Sequence, residues 1–177
     1  IHVMRQNKAV ETLAIYSKIV LPNDTNVLGN LMGGQLLNWI DINAAIAAYR
    51  HCGRVVVTAS VNNVAFKKSI KLGAVVTIES KVSRAFNSSM EIYSDVYVEG
   101  PQHGQREKCN EAIYTFVAID QMGNKIEVPE LIPESKQEIE RYDSALRRRQ
   151  LALILAGKMK PEEATELKGL FIPNPAG

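Results

Sequence analysis

Residues 31–53, which read LMGGQLLNWIDINAAIAAYRHCG, decide how the rest of the chain can fold. Apolar residues recur there at helical spacing, and the stretch closes on Gly53, a residue type that commonly ends a helix. The spacing therefore predicts one long helix from about Leu31 to Cys52. Its apolar stripe consists of Leu36, Leu37, Ile40, Ala44 and Ala47.

Strand-like runs surround this helix. One precedes it at residues 11–20, and four follow it at residues 54–66, 73–86, 88–100 and 106–120. They are rich in β-branched and aromatic residues and are separated by turn formers. Within residues 90–98 apolar and polar side chains alternate, which predicts a half-buried antiparallel strand. The order predicts an α+β fold in which the apolar face of an antiparallel sheet wraps around the single helix.

Length, charge and cysteine content narrow the possible classes of protein. With 177 residues, 46% of them hydrophobic, one domain with a substantial core is expected. Lys and Arg number 21 against 19 Asp and Glu, a balance that does not favour nucleic-acid binding. The spacing of Cys52 and Cys109 suggests neither a metal site nor a disulfide. Without a signal-like or membrane-spanning apolar run, the sequence predicts a cytoplasmic protein with no membrane span.

Beyond residue 133 the composition shifts to charged helix formers. We therefore expect a main domain at residues 1–133 and a C-terminal helical tail at residues 134–177. Packing of this tail along a neighbouring subunit is the favoured interpretation, and binding of a different partner is the alternative. The apolar residues available for either are Ile139, Tyr142, Leu146, Leu151 and Ile154.

Gly33 and Gly34 stand where the helical pattern begins. The first amides of a helix have no intrahelical acceptor, and the helix dipole is positive there. The glycines could serve a tight entry turn or close packing of the helix on the sheet. Alternatively, they could leave the backbone open to a ligand whose carbonyl oxygen the amides polarise, as in an oxyanion hole.

Asp41 lies seven residues after Gly34 and so projects from the same face of the helix. The separation along the axis is roughly 10 Å, too far for Asp41 to serve a carbonyl held at its own helix start. In a two-fold dimer, however, Asp41 could approach Gly34 of the partner and form a composite site. The alternative is a structural carboxylate that pairs with a lysine or arginine or accepts hydrogen bonds from backbone amides. Asn26 likewise fits either a turn or a hydrogen bond to a carbonyl or a water.

Three stretches resemble the hotdog-fold acyl-CoA thioesterases of the cytosolic acyl-CoA hydrolase group. They are LPNDTNVLGNLMGGQLLNWIDINAAIAAYRHCG at 21–53, VVTASVNNVAFKKSIKLGAVVTIESKV at 56–82 and SSMEIYSDVYVE at 88–99. The ordered motifs P-x-D-x-N, G-G, W-I-D, V-T-A-S, F-K and S-S-M-E carry the resemblance, which covers residues 13–133. It implies a five-stranded antiparallel sheet around one helix, and hydrolysis of fatty acyl-CoA without a metal or a separate cofactor. It also implies a homodimer that assembles to a hexamer.

The resemblance also implies catalytic roles. Asn26 and Asp41 would be the catalytic pair, contributed by opposite subunits, and Gly34 would line the site of the carbonyl oxygen. Asp41 would act as a general base on water or attack the thioester directly to give an anhydride. Thr58 would orient Asp41 or the water, unless it is an ordinary strand residue.

The coenzyme A phosphates need local cations, and the sequence offers candidates that could equally be solvated surface or turn residues. Its departures from the relatives, at Asn62 and at Phe86-Asn87, fall in this part of the site. The predicted substrate-binding residues are Gly33, Arg54, Lys67, Lys68, Ser88 and Ser89.

Other mechanisms lack their motifs, since the chain has no G-x-S-x-G, P-loop or G-x-G-x-x-G sequence. The function that the resemblance implies is hydrolysis of fatty acyl-CoA. The alternative is a non-catalytic acyl-CoA-binding or regulatory hotdog protein. The joint presence of Asn26, Gly34 and Asp41 favours the enzyme, because a sensor does not need a base.

Overall fold

The computed structural model describes residues 5–171, with the side chain of Asn63 left out. The first four residues of the predicted main domain and the last six of the predicted tail lie outside the described residues. The chain divides into two compact units, residues 1–132 and residues 133–177. No helix among the described residues is both long and apolar enough to cross a membrane.

The first unit is a five-stranded antiparallel sheet with one long helix. Its elements are β1 Asn7–Lys8, β2 Ala14–Ile19, α1 Gly33–Cys52, β3 Val55–Phe66, β4 Val75–Ala85, β5 Ser89–Glu99, β6 Arg106–Ile119 and β7 Leu131–Ile132. The strand order in the sheet is β2-β4-β5-β6-β3, and a separate parallel pair joins β1 to β7. Short 3₁₀ segments at Ala9–Thr12 and Pro22–Asp24 flank β2.

Helix α1 supplies the centre of the core. It ends where predicted, because Gly53 adopts a left-handed conformation with φ of 64° and donates its amide to the carbonyl of Tyr49. The buried face differs slightly from the predicted stripe: Trp39 is buried and Leu37 is only half-buried. The fully buried apolar residues of the helix are Leu36, Trp39, Ile40, Ala44, Ala47 and Ala48.

A buried polar network fixes α1 against the sheet. Asn43 donates from Nδ2 to the carbonyl oxygen of Ala14 at 3.0 Å and to Oγ of Ser80 at 2.9 Å. Ser80 in turn shares a 2.7 Å hydrogen bond with Ser94. Because these polar groups are buried, they stabilise only the arrangement in which they meet. The helix is therefore held at one position along β2 and β4.

Strand β5 is more buried than its alternating sequence predicts. Glu91 and Asp95, expected to face solvent, are each 5% exposed. The side chain of Ser83 donates to Oε1 of Glu91 at 2.7 Å, and Nζ of Lys108 lies 2.8 Å from Oδ1 of Asp95. Burial of these carboxylates is tolerated because each has a partner.

The second unit contains α2, Lys136–Leu155, and α3, Thr165–Lys168, with a 3₁₀ segment at Pro161–Glu163. A capping box starts α2, in which the amide of Glu138 donates to Oγ of Ser135 at 3.1 Å and the Glu138 carboxylate accepts from the Ser135 amide. Gln150 links the two helices by accepting from the amide of Leu167. Ile139 and Leu151 are each 45% exposed, so they remain available for the packing that the sequence predicts.

His51, near the end of α1, forms hydrogen bonds to two other segments of the chain. Its burial implies that the stability of the fold depends on pH. Its Nε2 donates to the carbonyl oxygen of Pro129 at 2.7 Å, and its own carbonyl accepts from Asn7. Burial lowers the pKa of His51 below 6.5, outweighing the opposing effect of the Pro129 carbonyl. As pH falls, the unfolded chain therefore binds a proton first. The stability that neutral His51 contributes is full above its unfolded pKa and is lost as pH falls towards the folded pKa.

We expect His51→Gln, which keeps a donor for Pro129, to show a smaller loss of stability on acidification than the wild type. Urea unfolding of both proteins at pH values of about 7.5 and about 5, on either side of the ordinary histidine pKa, measures this. The same loss in both proteins would contradict the assignment.

Candidate active site

Asp41 and Thr58 meet on the exposed side of α1. Thr58, on β3, donates from Oγ1 to Oδ1 of Asp41 at 2.7 Å. Asp41 is half-buried, and within residues 5–171 it has no ion pair with a lysine or arginine. A carboxylate that is oriented by a hydroxyl but not neutralised by a cation is suited to accept a proton. The ion-paired structural role considered for Asp41 finds no support in these contacts.

Tyr114, on β6, supports the turn of α1 that precedes Asp41. Its hydroxyl donates to the carbonyl oxygen of Leu37 at 2.8 Å. Burial, together with the negative charge of Asp41, raises the pKa of Tyr114 to about 12. The phenol therefore remains a hydrogen-bond donor at neutral pH. Sequence reasoning missed this residue, although a tyrosine on a buried strand needs a partner for its hydroxyl, which was the available signal.

The Asn26 side chain stabilises the loop in which it lies. Its Oδ1 accepts from the amides of Leu28 at 3.0 Å and Asn30 at 3.2 Å, and its backbone amide donates to the carbonyl of Asn30. This is the turn that one of the two interpretations predicts. Its Nδ2 has no hydrogen-bond partner among the described residues, so this donor is available to a ligand. The two interpretations of Asn26 are thus compatible.

The two glycines at the start of α1 differ in their surroundings. A Cβ on Gly33 would come within 3.3 Å of the Phe66 ring, whereas a Cβ on Gly34 would meet no heavy atom within 4 Å. The capping residue, Met32, forms no side-chain cap. Close packing against Phe66 therefore explains why residue 33 is a glycine. Gly34, in contrast, lies at an open part of the helix start.

A cavity of about 350 Å³ lies at this end of the helix. Asn26 and Gly33 line it together with Lys68, while Leu36 and Phe66 provide apolar wall. Neither Asp41 nor Gly34 is among its lining residues, although Gly34 directly follows Gly33 in the chain. The cavity thus brings a candidate amide donor and a candidate phosphate-binding lysine to one space, but not the candidate base.

The other predicted substrate-binding residues lie in different places. Lys68 pairs with Glu107, and Nζ of Lys67 lies 3.9 Å from Glu111; both lysines are largely exposed. Such exposed pairs contribute little stability, so a phosphate could replace them at small cost. Arg54 follows the far end of the 20-residue helix, roughly 30 Å from Gly33.

Ser88 and Ser89 lie at the turn between β4 and β5. Ser88 is half-buried and accepts a hydrogen bond on its carbonyl from the amide of Ala118, and Ser89 is 6% exposed. Ser89 pairs with Val117, which also pairs with Val57 beside Thr58. The serines therefore lie at the end of the sheet that carries Thr58, two strands away from it.

The predicted site residues thus form two groups within one chain. We call the first the amide group; it lies at the start of α1 and consists of Asn26, Gly33, Gly34, Lys67 and Lys68. We call the second the carboxylate group; it extends from the middle of α1 to beyond its C-terminal end and consists of Asp41, Arg54, Thr58, Ser88 and Ser89. Neither group alone has both a base and an open carbonyl site.

Comparison with known proteins identifies the family. Residues 28–104 match the model of the thioesterase superfamily. The chain is 38% identical over 144 residues to YkhA of Bacillus subtilis, an uncharacterized acyl-CoA thioester hydrolase, with 81% of each protein covered. A Staphylococcus aureus acyl-CoA hydrolase, solved with butyryl coenzyme A, coenzyme A and coenzyme A disulfide, superimposes with a TM-score of 0.81 at 33% identity. The alignment covers 87% of this chain and 96% of that one.

The chain belongs to the hotdog-fold acyl-CoA thioesterases. The family, the hotdog fold and the enzyme class that the sequence predicts are confirmed. Another acyl-CoA thioesterase of known structure, described as hexameric, has a TM-score of 0.82 at 33% identity and covers 86% of this chain and 98% of that one. Mouse acyl-coenzyme A thioesterase 11 is 40% identical over 144 residues, or 81% of this chain. The chain spans only 24% of that mouse thioesterase.

Proposed function

We propose that this chain hydrolyses fatty acyl-CoA to a free fatty acid and coenzyme A, at a site that combines the carboxylate group of one copy with the amide group of another. One observation carries the proposal: Asp41 is oriented by Thr58 and has no cationic partner among the described residues. A half-buried carboxylate in this state is a suitable base for activating water.

The amide group would bind the thioester carbonyl. The amide of Gly34 lies in the uncapped first turn of α1, where the helix dipole adds to its hydrogen bond. Nδ2 of Asn26, available as a donor, would supply a second hydrogen bond to the same oxygen. Both bonds would strengthen as negative charge develops on that oxygen, and one such donor contributes roughly 3 to 4 kcal/mol to the transition state.

The chemical step follows from these roles. A water oxygen attacks the carbonyl carbon while Asp41 accepts the water proton, which gives a tetrahedral intermediate with its charge on the oxygen held by the amide group. Collapse of the intermediate breaks the carbon–sulfur bond, and the departing thiolate takes up the proton. The alternative chemistry uses the same two groups: Asp41 attacks the carbonyl carbon directly, the coenzyme A thiolate leaves, and water then hydrolyses the resulting anhydride.

Apolar surface beside Asp41 supports a dimer. Ile42, Ile46 and Tyr49 on α1 are 53%, 41% and 59% exposed, and Val57 and Val61 on β3 are 44% and 40% exposed. Strand β3 is also an edge strand of the sheet. A second copy packed on this surface would cover the apolar side chains and bring its own amide group towards Asp41.

The proposal extends to the oligomer and to the location of the protein in the cell. The hexameric relative supports a trimer of such dimers, with the C-terminal tail packing on neighbouring subunits. The free thiols of Cys52 and Cys109 support a cytoplasmic location. We place the enzyme in fatty acid metabolism, with coenzyme A as part of the substrate and no separate cofactor.

Coenzyme A would be held by charges from both groups. Lys67 and Lys68 of one copy would meet the phosphates at the mouth of the cavity. Arg54 of the second copy would add a further charge, and Ser88 and Ser89 would donate hydrogen bonds to the pantetheine or the phosphates.

Release of free thiol from a panel of acyl-CoA chain lengths tests the function. We expect steady release by the wild type, and release by Asp41→Ala close to background. Saturable binding of acyl-CoA without thiol release would contradict hydrolysis and support the regulatory alternative.

Replacement of Thr58 by valine tests how Asp41 is oriented. The change keeps the side-chain shape but removes the hydroxyl, and a hydrogen bond to a charged group contributes about 1.5 to 3 kcal/mol. We therefore expect kcat to fall by roughly 10- to 100-fold. Thr58→Ser, which keeps the hydroxyl, is the matched control. Equal kcat values for the two variants would contradict the role.

A further inference from the structure

Asp24 is a buried carboxylate outside the groups described above. It is 6% exposed and lies in the loop that leads to Asn26. Its Oδ2 accepts from the amide of Leu21 at 2.9 Å, and its Oδ1 accepts from Nε2 of Gln35 at 2.9 Å. It forms no ion pair among the described residues. Neutral donors from two segments of the chain thus hold a buried charge.

The backbone of Asp24 makes the same connection. Its carbonyl accepts from the amide of Met32 at 2.9 Å, and Met32 is the residue that caps α1. The neighbouring Thr25 forms an isolated antiparallel bridge with Leu31. Asp24 therefore ties the loop to the start of the helix through both its side chain and its backbone.

The two amide donors of the proposed carbonyl site belong to the two segments that this residue joins. Asn26 follows Asp24 by two positions, and Gly34 directly precedes Gln35. A displacement of about 1 Å in such a site can reduce the rate by about 100-fold. The distance between the two donors must therefore be fixed by contacts outside the site.

We propose that Asp24 and Gln35 form a positioning pair that sets the Asn26 amide relative to the Gly34 amide, so that both can donate to one carbonyl oxygen. The inference rests on the proposed function. Neither member of the pair touches the substrate; they act through Asn26 and Gly34. The pair should therefore affect kcat more than KM.

The charge of Asp24 makes the pair testable. The hydrogen bond from the Leu21 amide lowers the pKa of Asp24 most, and Gln35 and the charge of Lys18 lower it further against the opposing effect of burial. Asp24 is therefore ionised at neutral pH and can only accept hydrogen bonds. Gln35→Glu would place a second carboxylate against it. Combining Gln35→Glu with Asp24→Asn restores both a donor–acceptor pair and the wild-type net charge.

Steady-state hydrolysis of an acyl-CoA, read as thiol release, tests the pair. We expect Gln35→Glu to lower kcat by roughly 10- to 100-fold with KM changed by less than about threefold, as misplaced donors would cause. The double variant Gln35→Glu with Asp24→Asn should return to within about fivefold of the wild-type kcat. Gln35→Met removes the donor without adding charge and should lower kcat by roughly threefold to tenfold. If Gln35→Glu does not fold, Gln35→Met is the variant that tests the positioning pair.

The results distinguish failure of the proposed function from failure of the positioning pair alone. Wild-type protein that releases no thiol overturns the proposed function, and the positioning pair with it. Active wild-type protein with an unaffected kcat in Gln35→Glu and Gln35→Met overturns the pair alone. A loss in Gln35→Glu that the double variant does not reverse also overturns it, because the donor–acceptor match would then not be what matters.

Discussion

Asp41→Asn is expected to lower kcat for acyl-CoA hydrolysis by about 10²- to 10⁴-fold, the usual contribution of a positioned general base. Asparagine keeps the size of the side chain and an oxygen that can accept from Thr58, so the fold and the binding of substrate should change little. What it loses is the ability to take a proton from water. Thiol release under saturating acyl-CoA measures the effect, and KM should stay within a few-fold of the wild type.

A matched control is available at Asp143, an exposed aspartate of α2. Asp143→Asn removes the same charge outside the proposed site and should leave kcat unchanged. If Asp41→Asn retained more than about a hundredth of the wild-type kcat, its loss would be below what a general base contributes, and the role assigned to Asp41 would be wrong.

Gly34→Pro is expected to lower kcat by about 10²- to 10³-fold, the effect of removing one oxyanion-hole donor. Proline has no amide hydrogen, and it is tolerated in the first turn of a helix because the amide there has no intrahelical acceptor. The preceding residue, Gly33, has no Cβ, which relieves part of the clash that proline imposes. The helix should therefore still form, and circular dichroism can verify this.

Gly34→Ala distinguishes loss of the amide donor from a steric effect of adding a side chain. Alanine keeps the amide hydrogen, and its Cβ would meet no heavy atom within 4 Å in the chain. We expect a much smaller loss of kcat than in Gly34→Pro. Equal losses in both variants would indicate a steric effect and would contradict the donor role of the amide.

Local sequence signals predicted most of the fold. Helix α1 ends at Cys52 as expected because Gly53 supplies the left-handed conformation that stops it. Strands β3 to β6 begin and end within two residues of the predicted runs, since turn formers mark their ends. The strand predicted at residues 11–20 corresponds to β2 and is shorter than predicted because Ala9–Thr12 forms a 3₁₀ turn. A hydrogen bond from the Thr12 hydroxyl to the carbonyl of Ala9 closes this turn.

Contacts between distant segments could not be predicted in the same way. The hydrogen bonds of Asp24 to Gln35 and of Tyr114 to Leu37 join residues 11 and 77 positions apart, so no local pattern reveals them. The glycine pair left two interpretations open because packing and open approach have the same sequence signature. The structure assigns one environment to each glycine, since only Gly33 faces the Phe66 ring.

The division of site residues into two groups was foreseen only in part. Helix geometry alone separates Asp41 from Gly34 by roughly 10 Å, which led to the composite site. That Thr58 belongs with Asp41, and that Lys68 shares a cavity with Asn26, depends on how β3 and the loop after it lie against α1. Strand register is a property of the whole sheet, and one sequence does not determine it.

Co-expression of the Gly34→Pro and Asp41→Asn chains under two different affinity tags tests most directly whether one site draws on two copies. Each variant alone should be nearly inactive. A mixed dimer would contain one site with both defects and one with neither, and so should have about half the wild-type kcat. In a hexamer of randomly paired chains about half of the dimers are mixed, so assemblies purified through both tags should recover roughly a quarter of the wild-type kcat. Doubly tagged assemblies no more active than either parent would contradict a site shared between copies.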